Sequence, residues 1–292
     1  MDNNITQDRL QPSAPGTSGT YGELNESVFN GDDGHQCVIR RTFLFLPSIG
    51  PGTERTLWRR GVSDWYDFLG RERLEGFSEK RKVGLDERLH QAIHFFERRE
   101  TAYFRSALPT REHWRLFESV RETTAYLDIE TDGLGPGAVT TVVGVHRNGR
   151  TLTLVRGIDL TSENLAKALE GTRLLVTFNG ASFDVPILER EFPFTMPQVP
   201  HFDLRHGCAR IGLTGGLKAI ERRIGIARAE EVEYVTGEQA VYLWHLWERK
   251  GKENALRLLC QYNEEDTRNL EIIAPMVYEK LVKCTLESAN RG

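Results

Sequence analysis

The stretch "YLDIET", residues Tyr126 to Thr131, places two carboxylates inside what otherwise reads as a buried strand. Successive strand side chains point to opposite faces, so Asp128 and Glu130 share one face while Leu127 and Ile129 share the other. Two like charges side by side repel, and burying them costs several kcal/mol unless something offsets the charge. Two readings follow. Either this is an edge strand with two solvated acids, or the acids are buried around a divalent cation.

The surrounding sequence frames that choice. The chain has 292 residues, with 39% hydrophobic and 27% charged residues, a balance that fits a soluble globular protein rather than a disordered or membrane one. No apolar run approaches the roughly 18 residues a membrane helix needs, and the first residues lack the basic start and apolar core of a secretory signal. Cys37, Cys208, Cys260 and Cys284 lie far apart with no C-x-x-C, which argues against a zinc site or a disulfide framework. The expectation is a cytoplasmic protein with reduced thiols and no membrane contact. Net charge is −4 but uneven: residues 40–121 hold 17 Lys/Arg against 12 Asp/Glu. That basic block reads equally as a nucleic-acid contact or as ordinary solvated helix faces.

Residues 1–35 are rich in Ser, Gly, Asn, Asp and Pro and are expected to be a disordered tail. Residues 36–121 read as a helical module. Within it, Thr53 is the expected N-cap of a short helix stopped by Gly61, and a longer helical stretch ends near Pro109. From Thr123 onward strands and helices alternate. "TTAYLDIET" is a strand. "AVTTVVGVHRNGRTLTLVRG" is a hairpin turning at Asn148-Gly149. A helix, the strand "RLLVTFNG", the helix "FDVPILEREF" and the strand "PHFDLRHG" follow, and the remainder is helical. That order, over residues 122–285, predicts an α/β ribonuclease H-like fold: a five-stranded mixed sheet flanked by helices, with a small helical N-terminal module.

Two further segments carry acids. Asp184 stands where the strand ending at Phe178-Asn179-Gly180 passes into a helix, a position on the rim of an α/β sheet, although an acid there is also an ordinary helix cap. In "QYNEEDTRNL", Tyr262 and Asp266 are four apart and share one helical face with Leu259, Leu270 and Ile273. Asp266 is the acid in an apolar stripe, whereas Glu264 and Glu265 fall off it and are expected to be solvated.

Together, Asp128-Ile129-Glu130, Asn179-x-x-x-Phe183-Asp184 and Tyr262-x-x-x-Asp266 resemble the motifs of the DEDD exonuclease superfamily, in its tyrosine-bearing branch. "GGLKAIERRIG" and "GEQAVYLWHLW" extend the resemblance toward the YprB-type ribonuclease H-like family. The resemblance implies a metal-dependent 3′–5′ exonuclease that hydrolyses phosphodiester bonds of DNA or RNA with two Mg²⁺ or Mn²⁺ ions. It also implies roles. Asp128 bridges both ions, Glu130 and Asp266 hold the ion that activates water, and Asp184 holds the second. Tyr262 orients the water, since a phenol of pKa about 10 is a poor base at neutral pH. Asn179 and Phe183 contact the terminal nucleotide, although Phe183 reads equally as core packing. Two ions roughly 4 Å apart suit such a hydrolysis, and hard cations prefer carboxylate and water oxygens.

Asp203 matches no ligand position and is expected to brace a loop. Lys218, Arg222 and Arg223 are either phosphate contacts or solvated helix charges. Upstream, "LPSIGPGTERTLWRRGV" resembles a helix-hairpin-helix segment in which Gly50 and Gly52 would point backbone N–H groups at a phosphate. The rival to the enzyme is a nucleic-acid-binding or scaffold protein that keeps the fold without turnover; the sequence names no protein partner.

Overall fold

The computed structural model describes residues 37–290 apart from 134 and 136. The expected disordered tail lies outside the described residues. Described residues 37–290 fall in one compact unit.

The chain enters through a single 3₁₀ turn, Val38–Arg41, and an irregular apolar run, then forms α1 (Pro51–Arg59), α2 (Trp65–Leu69), α3 (Glu79–Glu97) and α4 (Ala102–Ala107). The cap of α1 is Gly50, three residues ahead of the expected Thr53, because Pro51 starts the helix where its missing N–H costs nothing. Asp64 caps α2 by accepting the N–H groups of Tyr66 and Asp67. Arg99 has φ +55 and separates α3 from α4. Phe43, Phe45, Trp65, Phe68, Leu89 and Phe104 form the core of this region, with Trp65 meeting Phe45 and Phe96 edge-on. Two 3₁₀ segments, Thr110–Leu116 and Glu118–Thr123, lead to the sheet.

The sheet then builds in chain order: β1 (Thr124–Thr131), β2 (Thr140–Arg147), β3 (Arg150–Val155), α5 (Ser162–Leu169), β4 (Leu174–Thr177), α6 (Asp184–Glu191), β5 (His201–Asp203) and α7 (Leu204–Arg210). Four more helices close it: α8 (Leu217–Ile224), α9 (Glu230–Glu233), α10 (Gly237–Lys250) and α11 (Glu253–Asn290). The strand order is β3-β2-β1-β4-β5, with β1, β2 and β3 antiparallel in succession and β4 and β5 parallel to β1. The fold class is the expected α/β, ribonuclease H-like one. The β2–β3 turn is the expected Asn-Gly type, with Asn148 at φ +51 and Gly149 at φ +70. "PHFDLRHG" is only briefly a strand. Asp203 accepts the Arg205 N–H and starts α7 at once, so the β5 pairing stops at Thr177–Asp203.

Alternation in β1 and β4 sorts the core. Ala125, Leu127, Ile129 and Leu175 face α5 and α6 through Leu165, Leu169, Ile187 and Leu188. Tyr126, Leu174 and Val176 face α11 through Leu270, Ile273, Ala274 and Val277. Asp128 and Glu130 thus lie on the α11 side of the sheet, as the strand period requires.

The N-terminal helices are tied to this sheet. Thr101 Oγ1 donates to the Arg173 carbonyl at 2.6 Å, and the His201 N–H donates to His113 Nδ1 at 3.1 Å. Arg115 is buried and fully used, paired with Glu54 at 3.0 Å and Glu112 at 2.8 Å, so part of the basic block's charge is internal. The helix-hairpin-helix reading is corrected. The element ahead of Gly50 is one 3₁₀ turn, neither Gly50 nor Gly52 has positive φ, and a Cβ on either would meet nothing. A first helix fails because Phe43, Phe45 and Leu46 are drawn irregularly into the local core.

Candidate metal centre

β4 reaches only as far as the Tyr126–Val176 pairing, so the second half of β1 runs on with no strand on that side. Asp184 uses the gap. Its Oδ1 accepts the Ile129 N–H at 3.2 Å, between the two acids of β1. It is the first residue of α6 rather than its cap, which is Phe183. On the other side of β1 the β2 register slips between Glu130 and Thr131, a bulge at the second acid.

From above, α11 brings Tyr262 and Asp266. Its approach is permitted by Gly144, which lies opposite Asp128 in the β1–β2 register. A Cβ at Gly144 would stand 2.3 Å from Thr267 Oγ1 and 2.4 Å from Asn263 Oδ1. Only a residue without a side chain lets the helix settle this close. Asn263, fully buried, then donates Nδ2 to Asp128 Oδ2 at 2.8 Å and to the Asp128 carbonyl at 3.2 Å.

The result is a cluster in which carboxylate oxygens of Asp128, Glu130 and Asp266 lie within 4.8 Å of one another. Glu130, Asp266 and Asp184 are buried and Asp128 is half-buried. Asp184 borders the trio, close enough for its charge to act on Asp128 and Glu130. Burial, and after it the charges of Asp266 and Asp184, push both β1 acids well above the usual carboxylate range. Burial likewise moves Asp184 up to about 7. Asp266 rises to about 6, through burial opposed by Arg228. Such a set is electrostatically incomplete by itself. All-oxygen donors with surplus negative charge suit a hard divalent cation, so the residues present fit the ion that the motifs imply.

Tyr262 is buried beside the cluster with the Lys218 ammonium 4.8 Å and the Arg228 guanidinium 5.7 Å from its ring centroid. Burial, then Asp266, Glu130 and Asp128, raise its phenol pKa, which keeps it protonated. Asn179 sits on the rim in a left-handed conformation (φ +69) that asparagine tolerates. Its side-chain oxygen accepts from Arg205 Nη1 at 2.6 Å. Phe183 packs partly into the α5–α6 core. Asp203 accepts the N–H groups of Asn179 (2.8 Å) and Ala181 (3.1 Å), a brace for the loop that carries Asp184.

Gly50 and Gly52 are not brought here. Their neighbour Pro51 shares a cavity with Leu281 and Cys284, fifteen residues or more along α11 from Asp266, about 20 Å at 1.5 Å per residue. Two other expectations change. Glu265 is buried rather than solvated, since its carboxylate accepts the Ala229 N–H at 3.2 Å. Lys218 is neither a solvated charge nor free for a phosphate; it donates to the carbonyls of Val232, Glu233 and Val235. Arg222 and Arg223 are exposed. Sequence reading missed Asn263, which was visible inside the Tyr-x-x-x-Asp motif, and also missed Gly144, Glu221 and Arg228, which carry no local signal.

The raised carboxylates fix a pH dependence. Asp184 and Asp266 titrate near 7 and 6 in the folded chain against an ordinary 3.8. Between those limits the metal-free folded state binds more protons than the unfolded chain, so stability falls as pH rises through the folded values. In a chelator the melting temperature is expected to drop by on the order of 5 °C from pH 5 to pH 8, and Mn²⁺ is expected to restore it at pH 8. Calorimetry at the two pH values checks this; a flat profile contradicts it.

One comparison with known proteins agrees with the architecture. Residues 125–278 match a family model described as RNase_H superfamily. None of the curated proteins matches. Among solved structures, the crystal structure of the Aedes aegypti Nibbler EXO domain aligns over 62% of this chain and 90% of its own, at 12% identity and a TM-score of 0.34. A likeness that distant bears on neither fold nor activity. Among the described residues no helix is long and apolar enough to cross a membrane. The family match spans more than half of the sequence, and the chain belongs to the RNase_H superfamily.

Proposed function

We propose that this protein is a metal-dependent nuclease, a 3′–5′ exonuclease of the tyrosine-bearing DEDD type and the YprB-like branch. The observation that carries the reading is the convergence of Asp128, Glu130 and Asp266 within 4.8 Å on the α11 side of the sheet, with Asp184 at its border. Asp128, Glu130, Asp184 and Asp266 would hold two divalent ions, Mg²⁺ or Mn²⁺. When bound, these supply an acidified water and positive charge against the phosphoryl oxygens.

The chain's own groups do the rest. Asn263 fixes the Asp128 carboxylate, so the central ligand is oriented before substrate arrives. Tyr262, held neutral, is suited to orienting the attacking water rather than to removing its proton. Asn179 and Phe183, next to Asp184 in the chain, would meet the terminal nucleotide, as the motif resemblance implies. The 3′–5′ direction is drawn from the motif resemblance.

The test is a digestion ladder of 5′- and 3′-labelled DNA and RNA oligonucleotides, with and without Mn²⁺. The expected result is stepwise shortening of the 5′-labelled strand, dependent on metal. Binding of the oligonucleotides without cleavage under any metal condition would instead support a scaffold that keeps the fold without turnover.

A further inference from the structure

We propose that Arg228 is a positioning residue of the acidic centre: it grips Asp266 from behind, braced by Glu221 and Asn269, and so presents Asp266 to the divalent ion. The inference rests on the metal-centre reading above.

Arg228 lies between α8 and α9, in a segment with no recognisable motif. Its side chain is only 4% exposed and that of Glu221 only 2%. Its Nε donates to Glu221 Oε2 at 2.6 Å and its Nη2 to Glu221 Oε1 at 2.7 Å, a two-pronged pair. The same Nη2 pairs with Asp266 Oδ1. Asn269 Nδ2 donates to Glu221 Oε1 at 2.9 Å. Asp266 and Asn269 are three apart on one face of α11, so the network runs from Asp266 to Arg228, to Glu221 and back to the same helix.

Two effects of Arg228 oppose each other, and the network decides between them. A lone guanidinium beside a metal ligand repels the incoming cation. Here the charge of Arg228 is cancelled by Glu221, which is buried against it and reaches no other cation through the bonds described. What remains is orientation: the ion pair at Asp266 Oδ1 fixes the carboxylate that joins Asp128 and Glu130 in the cluster. Arginine suits this task, because its planar fork serves two carboxylates at fixed angles, which a lysine point charge cannot do. The alternative is a purely structural ion pair joining α8 to α11.

The experiment is calorimetric titration of metal-free, full-length protein with Mn²⁺, with folding of each variant checked by circular dichroism. Arg228→Met is expected to weaken Mn²⁺ binding by about 10- to 100-fold, the usual cost of losing a partner that orients a metal ligand. Arg228→Lys is expected to recover part of that loss. Glu221→Gln should also weaken binding, because it frees Arg228's charge and loosens its grip. If Arg228→Met fails to fold, Arg228→Lys and Glu221→Gln carry the test. Folded variants that bind Mn²⁺ as tightly as the parent, or more tightly, overturn the positioning role. A parent that binds no Mn²⁺ overturns the metal centre itself, and this role with it.

Discussion

Asp128→Asn is expected to remove divalent-metal-dependent cleavage of labelled oligonucleotides by at least about a thousandfold, on the order of 4 kcal/mol of transition-state stabilisation. The metal-free variant should melt at the same temperature as the parent or slightly higher. Both outcomes follow from one geometry. Asp128 is raised by burial and by Asp266, Asp184 and Glu130 together, so it contributes repulsion in the absence of metal and a ligand in its presence. Asparagine keeps the shape and can still accept the hydrogen bond that Asn263 donates at 2.8 Å. It loses only the charge. Gel assay and thermal melting in chelator read the two halves separately. A variant that degrades strands at the parental rate would remove Asp128 from the chemistry. A large fall in metal-free stability would mean that the carboxylate is structurally required.

Gly144→Val is the second large effect, and its direction is opposite to what strand propensity suggests. Valine is among the best strand residues, and Gly144 lies in the middle of β2. Its Cβ, however, would stand 2.3 Å from Thr267 Oγ1 and 2.4 Å from Asn263 Oδ1, closer than any real contact allows. The helix must therefore retreat, and with it Tyr262, Asn263 and Asp266. Overpacking of this kind costs about 1–3 kcal/mol, so the melting temperature should fall by several degrees. Binding of Mn²⁺ should fall with it, because Asp266 no longer reaches Asp128 and Glu130. Parental stability together with parental Mn²⁺ binding would show that α11 does not need this close approach.

The two substitutions differ in how visible their sites were beforehand. Asp128 is marked by its place in Asp-x-Glu, which alone reads equally as a solvated edge strand, and Asp266 by being the acid on an apolar helical stripe. Asn148-Gly149 fixed its hairpin for a local reason, the positive φ that the turn demands. Each of these signals lies within a few residues of the feature it predicts. The failures share a different character. The apolar run before Gly50 carries β-branched residues and Pro47, poor material for a first helix, but its irregular path is set where Phe43 and Phe45 pack against Trp65, Phe68 and Phe104. Glu265 reads as a solvated neighbour of Glu264 until the loop at Ala229 folds over it. Lys218 reads as a surface charge until the carbonyls of Val232, Glu233 and Val235 surround it.

Alone, the sequence determined the order of strands and helices, the face of β1 on which Asp128 and Glu130 stand, and the residue types that a hard cation would bind. Those follow from backbone periodicity and ligand chemistry, which act over short distances along the chain. Tertiary structure alone decided how near α11 comes to β1, that Asn263 holds Asp128, and that Arg228 and Glu221 stand behind Asp266. Those depend on side chains 38 to 135 positions apart being packed against one another, and such pairings leave no periodic trace in either partner's neighbourhood.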